Sequence, residues 1–451
     1  MLNETLTPTV LKPPAKSAPV IPGNYLFAFI LVTSLFALWG FANDITNPMV
    51  AAFKNILLIS NFESSLVQFA FYGGYCVMAV PAALFIQRFS YRAGLLVGLA
   101  LYAIGCLLFV PAGNAMLFGA FLAAYFIMTC GLAFLETSAN PYILSMGAPE
   151  TATRRLNFAQ AFNPLGSITG MLVARNLILA KLDTTPEDAR RALAVSDPAA
   201  FAKIQSADFD VIVGPYVALG LVVLVMMGVF AFIKLPVAAK RSEVNLRAGP
   251  TVKRLLSQPH FIWGVVTQAF YVGAQIMLWT FIIQYAVNEL GMSAADAQTY
   301  NIIAMAIFVS CRFICTYLLK YFSPGRLLAG LAVGAGVLTA GTIFLHGLPG
   351  LYCLVGVSAC MSLMFPTIYG IALEGTGEDA KLGSAGLILA IGGGCIMTPL
   401  QGAIMDLSAF NFGFFTLSST RFSFFLPLIC FVVIAFYGWF NRAPRGGVAK
   451  L

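Results

Sequence analysis

Twelve long apolar runs decide what this chain can become. They centre near residues 26–50, 65–86, 94–111, 116–146, 157–180, 211–235, 261–287, 299–319, 327–345, 350–373, 384–405 and 422–440. About 20 apolar residues in helical form cross the hydrocarbon of a bilayer. In lipid only helices and closed barrels satisfy their backbone polar groups, and runs of this length are too long for barrel strands. The expectation is an all-α membrane protein of twelve transmembrane helices. Composition closes off the alternative. Of 451 residues, 59% are hydrophobic and 10% charged, against about 25% charged in a soluble chain. So few charges do not cover the surface of a soluble enzyme, a nucleic-acid binder or a disordered scaffold.

Basic residues in the loops set the orientation. With both termini inside, the inside segments hold 18 of the 26 Lys and Arg and the outside segments hold 6; Arg175 and Arg312 fall within spans. This bias predicts cytoplasmic termini. Two polar stretches interrupt the runs: 181–210, acidic and outside, and 236–259, basic and inside. The second suits anionic lipid headgroups rather than nucleic acid. The chain then divides into a cytoplasmic tail over 1–23, a six-helix half over 24–235, a linker over 236–259, a second six-helix half over 260–441 and a tail over 442–451. The first 23 residues carry five prolines and lack the apolar core of a secretory signal. All nine cysteines lie inside apolar runs, which reads as buried residues rather than disulfides. No Cys/His set has metal-ligand spacing, and no cofactor is expected.

The two halves repeat weakly. Gln87-Arg88-Phe89-Ser90-Tyr91-Arg92 follows span two, and Lys320-Tyr321-Phe322-Ser323-Pro324-Gly325-Arg326 follows span eight. Asn140-Pro141 in span four precedes Arg155 at nearly the spacing by which Phe365-Pro366 in span ten precedes Lys381. A parallel six-plus-six repeat, each half itself three plus three, describes the major facilitator fold.

Ionisable groups at membrane depth are costly and usually functional. The sequence places few there: Asp44, Glu136, Arg175 and Arg312, with Asp406 near a helix end. At 100° per residue, Asn43, Asp44 and Asn47 share one arc of span one. Glu136 and Asn140 share a face of span four. Asn157, Gln160 and Asn163 form a stripe on span five. Gln268, Tyr271, Gln275 and Trp279 fall on one face of span seven, and Asn301 and Arg312 on one face of span eight. Amides offer donors and acceptors to sugar hydroxyls, and Tyr and Trp offer a flat apolar face with a polar tip. Each has a structural alternative. Buried amides also join helices, and the aromatics also serve as packing or interface anchors. Arg175 reads as a snorkelling residue near the outer end, Arg312 equally as a structural ion pair or a ligand contact. Glycines 166, 170, 330, 334 and 392–394 read as close helix contacts, and Pro141, Pro164, Pro366 and Pro399 as kinks. A mid-span carboxylate has fewer structural explanations. Desolvation favours its neutral form, so Glu136 and Asp44 are the candidate proton-coupling groups.

Three motifs carry a family resemblance: Leu38-Trp39-Gly40-Phe41-Ala42-Asn43, Leu135-Glu136-Thr137-Ser138-Ala139-Asn140-Pro141, and Arg155-Leu156-Asn157-Phe158-Ala159-Gln160-Ala161-Phe162-Asn163. The second half adds Tyr271-Val272-Gly273-Ala274-Gln275, Phe365-Pro366-Thr367-Ile368, Gly392-Gly393-Gly394 and Thr398-Pro399. From about residue 25 to 440 the chain resembles the L-fucose:proton symporters of the major facilitator superfamily. The resemblance implies a proton-coupled monosaccharide importer, with L-fucose first. The alternatives are another hexose (glucose/galactose or N-acetylglucosamine) and a sodium-coupled or uniport carrier. It implies a bacterial inner-membrane location, a monomer, and a monosaccharide, protons and lipid as partners. It makes Glu136 the central carboxylate and Gln160 and Asn163 cavity amides, with Gln275 and Asn301 added. One stretch departs. The fucose carriers read Asn-Asn-Leu-Asn-Asp on span one, where this chain reads Asn43-Asp44-Ile45-Thr46-Asn47. The family Asp position holds Asn47, and an Asp stands three places earlier.

Overall fold

The structure is a computed structural model. It describes residues 19–147, 152–233, 253–319, 321–374, 376, 380–411 and 416–442, without the side chains of Gln87, Asn157 and residues 152–154, 380–382, 384 and 385. Most of the expected linker and tails therefore lies outside the described residues.

Eleven segments among the described residues form helices long and apolar enough to cross a membrane. The remaining expected span, the fifth, is built in three pieces: Ala152–Gln160, Asn163–Val173 and a π-turn over Ala174–Leu179. Its break falls just before Pro164, which lacks an N–H and is tolerated only in the first turn of the next helix. Span one breaks likewise at Asn47-Pro48, between Leu26–Thr46 and Met49–Leu57. Span ten breaks at Ser362-Leu363, between Leu348–Met361 and Met364–Leu373. Pro141 and Pro399 stay inside their helices, Phe118–Ser145 and Gly393–Met405. The Phe-Ser repeat has a local meaning, since Ser90 and Ser323 are the N-cap residues of spans three and nine. Outside the spans, a helix over Glu187–Ser196 and a short antiparallel pairing of Phe410–Asn411 with Thr416–Leu417 are elements that periodicity did not reveal.

Spans one to six pack mainly on one another, as do seven to twelve; span two meets span eleven and span five meets span eight across the middle. Spans one and five approach until backbones touch. A Cβ at Gly166 would overlap the carbonyl of Ala37, and one at Gly170 that of Phe41.

One end of the bundle carries the acidic stretch 181–210; the other, the basic-loop end, carries Ile233 and Lys253, the described residues that flank the basic stretch. At the acidic-loop end the halves are joined directly. Gln68 donates to Thr280 at 3.1 Å, Arg175 to Thr299 at 2.7 Å, and the start of span two donates to Asp406. Sulfur contacts of Cys76 with Leu389 and of Cys395 with Phe69 lie deeper. Among the described residues no hydrogen bond joins the halves beyond them, towards the basic-loop end. The halves are thus closed together at the acidic-loop end.

Candidate functional site

Span one is pinned where its polar cluster sits. Asp44 is 5% exposed and accepts from Asn47 at 3.1 Å. Asn47 accepts from Gln68 of span two at 2.9 Å, and Gln68 reaches on to Thr280 of span seven. The substitution pattern Asp44/Asn47 is therefore a contact pair, one helical turn apart and bonded side chain to side chain. Asn43 is half-buried, and its side-chain oxygen has no hydrogen-bond partner among the described residues.

Glu136 sits mid-way along span four, half-buried. Its carboxylate takes no hydrogen bond or ion pair from the described residues. Around it the hydroxyls of the same helix are spent on the backbone: Thr137 donates to Ala133 and Ser138 to Phe134. A carboxylate at membrane depth is costly when charged, and this one, without a partner among the described residues, is placed to exchange a proton or meet a ligand. Tyr75 of span two lies in electrostatic range of Glu136, and Tyr72 in range of Asp44; their rings are 6.4 Å apart.

One turn after Glu136, Asn140 accepts from Gln160 of span five at 3.2 Å, and Gln160 is exposed. Asn163 donates to the Phe36 carbonyl of span one at 3.3 Å. The side chain of Asn157 is not described. Spans four and five thus bring Glu136, Asn140 and Gln160 to one place, as their stripes suggested.

The second half is more mixed. Gln268 is fully buried, and neither amide atom has a hydrogen-bond partner among the described residues. Gln275 is half-buried. Tyr271 donates to the Met361 carbonyl at 3.1 Å, and Trp279 to Ser358 at 3.2 Å, both tying span seven to span ten. Asn301 donates to the Trp279 carbonyl at 3.1 Å and is fully buried. These three polar groups join helices. Arg175 crosses to Thr299 at 2.7 Å, with Asp296 at 4.0 Å, because the start of span eight lies within reach. Arg312 bonds the Ser362 carbonyl at 3.1 Å and stands over the Phe308 ring, so no ion pair was needed to place it.

Sequence reading passed over span two. Gln68, Tyr72 and Tyr75 follow at helical spacing on one face, which was the available signal. Thr280 offered none.

Two six-helix halves, meeting around amides and carboxylates at membrane depth and closed at one end, define a membrane transporter of the alternating-access kind. The profile of the Major Facilitator Superfamily matches residues 30–385, and the chain belongs to that family. It is 52% identical to the L-fucose-proton symporter of Haemophilus influenzae, over 94% of this chain and 98% of that one. It is 32% identical to the glucose/galactose transporter of Brucella abortus, over 92% and 94%. The crystal structure of the superfamily transporter FucP in the outward conformation matches with a TM-score of 0.68 and 33% identity, over 93% of this chain and all of that one.

Proposed function

We propose that the chain is a proton-coupled symporter that imports L-fucose by alternating access. The observation that carries the coupling is Glu136, a mid-span carboxylate without a hydrogen-bond or ion-pair partner among the described residues, beside the Asn140–Gln160 amide pair. The 52% identity to a named L-fucose-proton symporter supports the sugar. A neutral Glu136 lets the loaded carrier turn over without a buried charge; release of its proton to the cytoplasm resets it. One charge moving through 100 mV contributes about 2.3 kcal/mol, roughly 50-fold accumulation. Asp44 is the second coupling group. Its bond to Asn47 keeps a carboxylate beside the position where the fucose carriers hold theirs. Asn43, Asn140, Gln160 and Asn163 on the first half and Gln268 and Gln275 on the second address the sugar hydroxyls.

Both termini and the linker 236–259 are cytoplasmic in a bacterial inner membrane, so the acidic-loop end is the outer face and the state described is closed to the outside. The halves are residues 24–235 and 260–441, and the protein works as a monomer. The 32% identity to a glucose/galactose transporter keeps a second hexose in view. An uptake panel in proteoliposomes with an inward proton gradient tests the substrate. L-fucose should accumulate and glucose, galactose and N-acetylglucosamine should not. Accumulation of one of these without L-fucose would contradict the assignment.

A further inference from the structure

Span two begins at Asn61, and the first N–H groups of a helix have no partner within it. A capping box takes care of part of this start. The Ser60 hydroxyl accepts from the Glu63 N–H at 3.0 Å, and the Glu63 carboxylate accepts from the Ser60 N–H at 2.8 Å. The N–H groups of Asn61 and Phe62 are left over. Both donate to Asp406, each at 2.8 Å, and the Asn61 side-chain amide donates to the same carboxylate at 2.8 Å.

Asp406 belongs to the other half. It is the C-cap residue of the helix Gly393–Met405, which ends span eleven. A negative charge at a helix C-terminus opposes that helix's own dipole, whereas at an N-terminus it is favourable. Its own helix therefore gives no reason for a carboxylate here; the start of span two does. The two spans touch at this point, since a Cβ at Gly402 would lie 2.6 Å from the Asn61 carbonyl oxygen.

We infer that Asp406 is a positioning residue of the transport cycle: its carboxylate latches the outer face shut by completing the cap of span two across the two halves. When the outer face opens, spans two and eleven part and all three hydrogen bonds pass to water. The latch thus weights the cycle towards the outward-closed state. The inference rests on alternating access by two halves and on the proposed orientation, not on the identity of the sugar.

The test uses the full chain in lipid nanodiscs without sugar. Spin labels stand at Val195, 86% exposed in the first half, and at His346, exposed in the second, after replacement of the nine native cysteines. Pulsed distance measurements read the ratio of outward-open to outward-closed molecules. Asp406→Ala should raise it about tenfold, the equivalent of one charge-assisted hydrogen bond of the three. Ser60→Ala frays the same helix start without touching the other half and should change the ratio less than about twofold. Asp406→Asn keeps one acceptor oxygen, should raise the ratio about threefold, and carries the test if the alanine variant does not fold. An unchanged ratio in the folded Asp406 variant, or an equal opening in Ser60→Ala, would overturn the latch.

Discussion

Asp44 and Asn47 show how far single residues could be read. The sequence displayed the departure from the fucose carriers, and helical spacing put both residues on one arc. Their 3.1 Å bond makes the departure local. What spacing could not supply was the continuation through Gln68 to Thr280, because it joins three helices far apart in the chain. The same limit applies to Tyr271 and Asn301. Their face was legible, but the carbonyls they bond belong to neighbours that only packing reveals. Asp44→Asn keeps the bond to Asn47 available but removes the titrating group. It should keep sugar exchange and lose accumulation, measured by counterflow and by gradient-driven uptake in the same vesicles. Retained accumulation would reduce Asp44 to a cap on the amide cluster. Gln160→Ala should weaken sugar binding by about 0.5–1.5 kcal/mol, the net worth of one hydrogen bond. Calorimetry on the purified protein reads this, and unchanged affinity would leave the amide a link to Asn140 alone.

At the scale of elements, the positions of the spans followed from apolar length, although span six starts at Pro198 inside the stretch read as polar; of the prolines read as kinks Pro164 marks a break, and the break at Pro48 was not foreseen. The three-piece fifth span did not, because its continuity depends on how closely span one lies against it. Gly166→Ala places a methyl group against the Ala37 carbonyl. Overpacking of this kind costs about 1–3 kcal/mol, so the variant's thermal midpoint in detergent should fall; an unchanged midpoint would contradict the close approach. The stretch 181–210 was read only as acidic, yet it folds. Buried Arg190 bonds Asp208 at 2.8 Å, and Lys54 pairs with Glu187 at 3.2 Å. Hydrogen bonds from Thr185, and then the Arg190 guanidinium, hold Asp183 below the usual carboxylate range. A depressed folded-state value stabilises the folded loop above the unfolded pKa of about 3.9 and is lost as pH falls through the lower value. A spin label at position 195 should therefore stay equally restrained from pH 7 to 5 and loosen only below about pH 4. Loosening near neutrality would point to another group.

For the whole molecule, fold class and family were legible, the first because lipid imposes a length rule on every span and the second from the quoted motifs. The closed end was not, since either end of such a bundle can close with the same sequence. A cysteine at position 245, in a variant without the native nine, should resist membrane-impermeant thiol reagents in intact cells while one at 195 reacts; the reverse pattern would invert the topology. The central claim is that Glu136 carries the proton that moves with the sugar. It is tested by a pH electrode outside weakly buffered proteoliposomes on addition of L-fucose. Wild type should alkalinise the medium as protons enter with sugar. Glu136→Gln, which holds the neutral shape permanently, should still exchange labelled for unlabelled sugar but give no alkalinisation. A normal proton signal from Glu136→Gln would contradict the mechanism.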